Sequence, residues 1–393
     1  MDILVVSTIT LAAGLVVTYW LHSQYAMDVV VSPVDGWKDG DQYPLISVII
    51  PARNEARNIR RCVEALLGQT YPNDEIIVVD DRSTDATLQI LEDIQSSLQD
   101  DRTVASRFLI VHGDELRADW AGKPHALVQG ASAARGEWFC FVDADTFAAP
   151  ELLISALYCA QRNHADLFTI LTEQELGSFW EKVILPLVFT ALSAGFPARR
   201  VNDPNLPDAI ANGQFILIRK DVYQAIGGHY AVKDRIDEDK GLAEAVKQAG
   251  YRLLVADGRA VARTRMYTSF TEIWEGWTKN IFLGMQDRLG LLTFGGFVGL
   301  IGAILLPIWL LGGIYWFILS GEEIPAVVAL EALILWAYLL VVRARASIAF
   351  QISPLYALTL PLGALVFTAM MLTSTFKVIS RQGVTWRGRT YRT

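Results

Sequence analysis

Two carboxylates one residue apart, Asp143 and Asp145, follow the run 138–142, whose apolar and small residues read as a buried strand too short for a helix. At a strand end that spacing turns both side chains toward one side of the terminating turn. There they can share a hard divalent cation with substrate phosphates. An open parallel sheet binds ligands at the carboxyl ends of its strands, so the position suits that chemistry. Taken alone, an Asp-x-Asp turn is more often a solvated corner. Other polar clusters stand at comparable places: Pro51-Ala52-Arg53-Asn54-Glu55, Val79-Asp80-Asp81, Gly122-Lys123-Pro124-His125-Ala126-Leu127 and Asp237-Glu238-Asp239. Each has a plain alternative. Glu55 is a first-turn acid favoured by a helix dipole, Lys123 an exposed loop lysine, and 237–239 an acidic helix start.

The elements that position these clusters alternate. Strands are predicted at 46–50 (stopped by Pro51), 75–80, 108–111, 138–142, 166–171 and 215–218. Helices are predicted at 56–67, 86–98, 126–134 and 237–249, with Ser83 or Asp85 capping the second. Alternation of this kind implies an α/β domain with a mostly parallel sheet covered on both faces.

The flanks are apolar. Residues 3–21 form a 19-residue run without a charge, enough to cross a bilayer. The start Met1-Asp2 lacks the basic region of a secretory signal, so the run reads as a retained anchor rather than an uncleaved signal. The apolar segment 183–196, broken by Pro186, is too short to span and reads as interfacial, re-entrant or core. Along 270–285, Phe270, Ile273, Trp274, Trp277, Ile281, Phe282 and Met285 mark one face of a helix lying in the interface plane. Three closing stretches follow, 291–319, 325–342 and 352–372, with Glu331 costly inside the second unless it faces protein or water.

The loop expected after 342 (Arg343, Arg345) and the tail (Lys377, Arg381, Arg387, Arg389, Arg392) are basic, which places both in the cytoplasm. Simple alternation of three spans puts the tail outside. The charges are the better guide, and one stretch then reads as a hairpin or re-entrant. The divisions expected are an anchor at 1–24, a linker at 25–44, an α/β domain at 45–262, an interfacial helix at 263–290, a membrane region at 291–375 and a basic tail at 376–393. The expected location is the inner membrane, multi-pass, with the α/β domain cytoplasmic.

Hydrophobic residues make up 52% and Trp numbers 11, in keeping with a chain partly in lipid. The net charge of −8 without a basic run in the centre argues against a nucleic-acid partner. Cys62, Cys140 and Cys159 form no CxxC and read as buried thiols. Five histidines without HExxH give zinc little support.

Taken in order, the clusters resemble those of inverting glycosyltransferases of family 2, with their GT-A fold, over about 47–280. The resemblance implies a nucleotide-sugar donor. It gives Asp81 the contact to the base, with Pro51, Arg53 and Glu55 lining that pocket and Lys123 neutralising diphosphate as a point charge. It implies Mn²⁺ or Mg²⁺ on Asp145 with Asp143 in support, a cation that offsets charge on departing UDP. Inverting transfer is one displacement and needs one base on the acceptor hydroxyl. Asp239 matches that position, with Leu242 following and Glu238 shaping the pocket.

Many members carry Gln-x-x-Arg-Trp near the membrane. Here Trp277 stands at the Trp position, Gly276 replaces the Arg and no Gln leads. That departure argues against a processive polysaccharide synthase and fits transfer of one hexose to a lipid hydroxyl, with Trp274 and Trp277 beside the acceptor. The stretches 263–267, 277–280 and 383–391 are similar to bacterial carotenoid- and hopanoid-associated members, as, more loosely, are 178–181 and 201–204. Ceramide glucosyltransferases share the plan more distantly. The lipid could be of sphingolipid, glycerolipid, carotenoid or hopanoid type. A non-catalytic membrane scaffold with a degenerate nucleotide fold is the remaining reading, which intact Asp145 and Asp239 oppose. The sequence is silent on oligomeric state.

Overall fold

The structure, a computed structural model, describes residues 3–23, 27–34, 43–380, 384–386 and 389–391. Residues 25–26 and 35–42 of the expected linker, the tail residues Arg381, Arg387 and Arg392, and the side chains of Phe282, Met285 and Arg389 lie outside that description. The chain forms two compact units, Met27–Glu175 with Phe196–Met266, and Met1–Ala26 with Leu176–Gly195 and Tyr267–Thr393.

The first unit is built on a seven-stranded sheet. Its strands are β1 (Ile46–Ala52), β2 (Asp74–Asp80), β3 (Phe108–His112), β4 (Trp138–Phe141), β6 (Leu167–Leu171), β8 (Ile216–Arg219) and β9 (Leu253–Asp257), in the order β3-β2-β1-β4-β8-β6-β9. β8 alone runs antiparallel to both neighbours. Successive residues of β1 point to opposite faces. Val48 and Ile50 pack with Cys62 and Leu66 of the helix Ile59–Leu67, while Ile49 packs with Ile77 and Leu127. A smaller sheet joins β5 (Thr146–Ala148), β7 (Glu173–Gln174) and β10 (Ala262–Thr264).

Two boundaries differ from expectation in ways that matter for the site. β1 continues through Pro51, because β4 pairs with it only as far as Ile49 and a missing N–H beyond that point breaks no bond on that side. The helix Gly122–Ala133 starts four residues early, since Pro124 falls in its first turn, where amides have no helical partner anyway. Lys123 therefore sits on a helix start rather than in a loop.

In the second unit, the N-terminal helix Ile3–Ser23 packs on the helix Glu323–Ala349. Thr8 Oγ1 donates to Glu331 Oε1 at 2.7 Å, so the carboxyl expected to be costly faces protein. Among the described residues, three helical segments are long and apolar enough to cross a membrane: Ala303–Ser320, Glu323–Ala349 and Pro354–Lys377.

The separate interfacial helix ending near 290 is corrected. One unbroken helix runs Phe270–Ser320, 51 residues, opened by Ser269 accepting from the Glu272 amide. It continues through Pro307 and ends at Gly321, whose φ is 70°. Arg343 and Arg345 are likewise on a helix, not in a loop. Arg343 is buried, donating to Ser347 Oγ and to the Lys182 carbonyl, both at 2.7 Å. It serves packing as well as charge. Residues 183–195 of the apolar segment 183–196 fall within the helix Phe179–Gly195, whose Val183 and Leu187 meet Gly363, and Phe196 lies beyond its end.

Candidate active site

The ends of β1 and β2 are fastened to one another. The Asp81 amide donates to the Ala52 carbonyl at 2.8 Å, and Arg53 Nη1 donates to the Asp81 carbonyl at 2.6 Å with Asp81 Oδ2 3.8 Å away. Asn54 and Arg82, each with positive φ (55° and 56°), turn the two chain segments out of the sheet. The Glu55 amide donates to Thr87 Oγ1 at 2.8 Å, and the Glu55 side chain is buried. Pro51, Arg53, Glu55 and Asp81 are thus held at one sheet edge by hydrogen bonds rather than by exposure to chance. Gly113 belongs to the same edge and escaped sequence reading. A Cβ there would lie 2.9 Å from the Asp80 carbonyl oxygen and 3.1 Å from Asp81 Cα.

The charged centre lies at the end of β4. Lys123 Nζ is 2.7 Å from Asp143 Oδ1 and 2.7 Å from Glu238 Oε1, bridging residues more than 90 positions apart. Asp143 and Asp145 ride on a turn closed by the Thr146 amide donating to the Asp143 carbonyl at 3.0 Å. Asp239 Oδ2 accepts from the Gly213 amide at 3.1 Å and Oδ1 from the Lys240 amide at 2.8 Å. The helix Glu238–Gln248 starts there, so its free amides and dipole favour the carboxylate.

The electrostatics follow from that crowding. Burial alone would lower the Lys123 ammonium, yet Asp143, Glu238 and Asp239 together hold it well above its ordinary range. Burial pushes Glu238 up to about 7 against the pull of Lys123, with Asp239 adding to the rise. Asp239 is raised by burial too, while Lys123 and its two amide donors oppose.

A pocket is lined by Pro51, Lys123, Asp143, Gly213, His229, Glu238 and Asp239, with Leu127, Phe141 and Ile216 as apolar wall. The structure therefore brings together Pro51, Lys123, Asp143, Glu238 and Asp239. Trp274 and Trp277 belong to the other unit. There Trp277 is buried edge-on to Phe189 and Trp274 lies against Phe270. Gly213 and His229 were missed. The signal available was the Gly227-Gly228 pair, a demand for unusual backbone just before a histidine.

Among the described residues no group of three or more His, Cys, Asp or Glu is arranged to hold a metal by itself. A cation shared with phosphates needs only one or two protein carboxylates, which Asp145 and Asp143 supply. The neighbouring thiol does not compete. Burial, then the charges of Asp145, Glu55 and Asp143, push Cys62 far up, so it stays protonated and the donor set is oxygen only. The residues fit Mg²⁺ or Mn²⁺ and do not suit a soft metal.

The fold is that of a transferase of GT-A architecture. Residues 47–227 match the model of glycosyl transferase family 2, so the chain carries a glycosyltransferase domain of that family. It is similar to the 4,4'-diaponeurosporenoate glycosyltransferase of Staphylococcus aureus strain USA300, 27% identical over 271 residues, 66% of this chain and 68% of that protein. The same protein of strain MRSA252 is 28% identical over 276 residues, with the same coverage. Among solved structures, the mannosyltransferase PcManGT from Pyrobaculum calidifontis, in complex with GDP-Man and Mn²⁺, aligns over 96% of this chain and 97% of its own. With a TM-score of 0.51 at 18% identity, that likeness speaks for the fold.

Proposed function

We propose that this glycosyltransferase moves a single hexose from a UDP-sugar to a hydroxyl of a membrane lipid, with inversion and with Mn²⁺ or Mg²⁺ on Asp145 and Asp143. The observation that carries the reading is Asp239, a half-buried carboxylate fixed by two backbone amides in the same pocket as Lys123 and Asp143. A base raised by burial and pinned in orientation is suited to receive the acceptor hydroxyl's proton. Asp81 accepts from the base of the donor, with Arg53 and Glu55 beside it. Lys123 and the cation, when bound, offset the diphosphate charge as UDP leaves.

Single transfer rather than polymerisation is supported by Gly276. A Cβ there would lie 2.4 Å from the Tyr267 hydroxyl oxygen, so this packing leaves no place for the Arg of Gln-x-x-Arg-Trp. A lipid acceptor is supported by the three apolar helices and by the relatives' name. The catalytic unit is proposed to face the cytoplasm, where nucleotide sugars are made.

The test is incubation of the purified chain with UDP-glucose, Mn²⁺ and a bacterial lipid extract, followed by UDP release and lipid mass spectrometry. A lipid gaining one hexose is expected. UDP release without any hexosyl lipid, or a ladder of sugars, would overturn the reading.

A further inference from the structure

The pocket among Lys123, Asp143, Glu238 and Asp239 has one polar wall to which the reaction above assigns no role. That wall is His229, 1% exposed. Gly227 and Gly228 deliver it, with φ of 80° and 51°. A Cβ on Gly228 would lie 2.4 Å from the Tyr223 ring, so a side chain there would drive the histidine away from the tyrosine.

The Tyr223 hydroxyl oxygen is 3.1 Å from the His229 amide nitrogen and 2.9 Å from Nδ1. An amide can only donate, so the hydroxyl accepts from it. No other hydrogen-bond partner of Tyr223 lies among the described residues. The buried phenol proton is therefore directed at Nδ1, since leaving it without an acceptor is costly. With Nδ1 accepting, a neutral imidazole carries its proton on Nε2. Burial, then the nearby Lys123 charge, keep the ring neutral by drawing its pKa down to about 3. Phe141 lies edge-on to the ring at 4.7 Å and fixes its tilt. Nε2–H finds no acceptor among the described residues, while the ring lines the pocket.

We propose that His229 donates this Nε2–H to a hydroxyl oxygen of the transferred sugar and so helps to select which sugar is accepted. The inference rests on the nucleotide-sugar reading. With the diphosphate at Asp143 and Asp145 and the base at Asp239, the sugar lies between them, the space that His229 borders. A neutral donor suits a hydroxyl better than a phosphate, which favours cations.

The full chain in detergent is titrated calorimetrically, with Mn²⁺, against UDP, UDP-glucose, UDP-N-acetylglucosamine, GDP and GDP-mannose. Wild type should bind one nucleotide sugar more tightly than its free nucleotide. His229→Phe keeps a flat ring against Phe141 without an N–H. It should leave free-nucleotide affinity intact and cut the sugar-dependent gain by roughly 3- to 10-fold, the worth of one hydrogen bond. His229→Gln, which restores a donor, should recover part of that gain.

An unchanged gain in His229→Phe overturns the assignment, as does a wild type that binds every sugar donor no tighter than its nucleotide. If His229→Phe loses nucleotide binding altogether, the fold has not survived and Tyr223→Phe decides. That variant frees Nδ1, divides the ring between tautomers, and should reduce the gain by about two- to threefold with nucleotide affinity intact. No reduction there overturns the proposal. A wild type that binds none of these nucleotides overturns the nucleotide-sugar reading itself.

Discussion

The backbone amide of Gly213 donates to Asp239 Oδ2 at 3.1 Å, and the same glycine leaves the space into which Lys123 Nζ reaches. A Cβ at 213 would lie 2.8 Å from that nitrogen, 3.3 Å from Asp239 Oδ2 and 3.4 Å from Asp143 Oδ2. Gly213→Ala should therefore fold, because the obstructing atom is the mobile end of a lysine. Displacing charged groups by a fraction of an ångström should still slow transfer by about 10-fold or more. Thermal unfolding beside a transfer assay separates the two effects. Normal activity would mean that the Gly213 contact is incidental.

Asp239→Asn keeps shape and most hydrogen bonding but accepts no proton at neutral pH. Transfer should fall by roughly 10²–10⁴-fold, while UDP and Mn²⁺ bind about as in wild type. Asp81→Asn should do the reverse and weaken UDP binding directly. Calorimetry with UDP and Mn²⁺ checks both. Loss of UDP affinity in proportion to activity in Asp239→Asn would move the base elsewhere, with Glu238 next in line.

Glu238 gives a pH signature. Burial raises its folded pKa to about 7, above the ordinary carboxylate value of the unfolded chain. The folded protein thus binds a proton that the unfolded chain releases, and this contribution to stability is present at acidic pH and lost as pH rises through about 7. Glu238→Gln should flatten the dependence of the unfolding temperature across that window, measured in chelator so that no cation intervenes. Parallel curves for the two proteins would refute the shift.

Removing the cation should abolish transfer. Activity is expected to vanish in EDTA and to return with Mn²⁺ or Mg²⁺. Asp145→Ala should remain orders of magnitude slower at any metal concentration, because the leaving diphosphate loses its counter-charge. Full activity in chelator would sink the metal assignment.

The two tryptophans should now behave differently. Trp277 is 4% exposed, so Trp277→Glu buries an unpaired charge and should unfold the helical unit. Trp274 is half-buried. Trp274→Glu should leave the fold intact and reduce transfer to lipid more than hydrolysis of the donor by water. Equal loss of both activities would make Trp274 a packing residue only.

The sequence by itself determined the chemical inventory and six of the seven strands of the main sheet; β9, the strands of the smaller sheet and the helix Leu152–Arg162 were not read from it. The alternation of short apolar runs with amphipathic stretches marks the α/β unit, because period-2 and period-3.6 patterns follow directly from which face is buried. The carboxylates at strand ends and the long apolar runs were legible for the same local reason. Legibility failed where an outcome depends on partners distant in the chain. Pro51 ends a strand in isolation, but continues β1 because β4 stops pairing before reaching it. Arg343 reads as a loop cation, yet it is buried on Ser347 and the Lys182 carbonyl. The joining of Lys123 to Asp143 and Glu238, the space kept open by Gly213 and the tautomer of His229 set by Tyr223 were decided by tertiary structure alone. Each depends on distances between residues that sequence spacing does not constrain, and on burial that makes a charge or proton costly unless a partner arrives from another element.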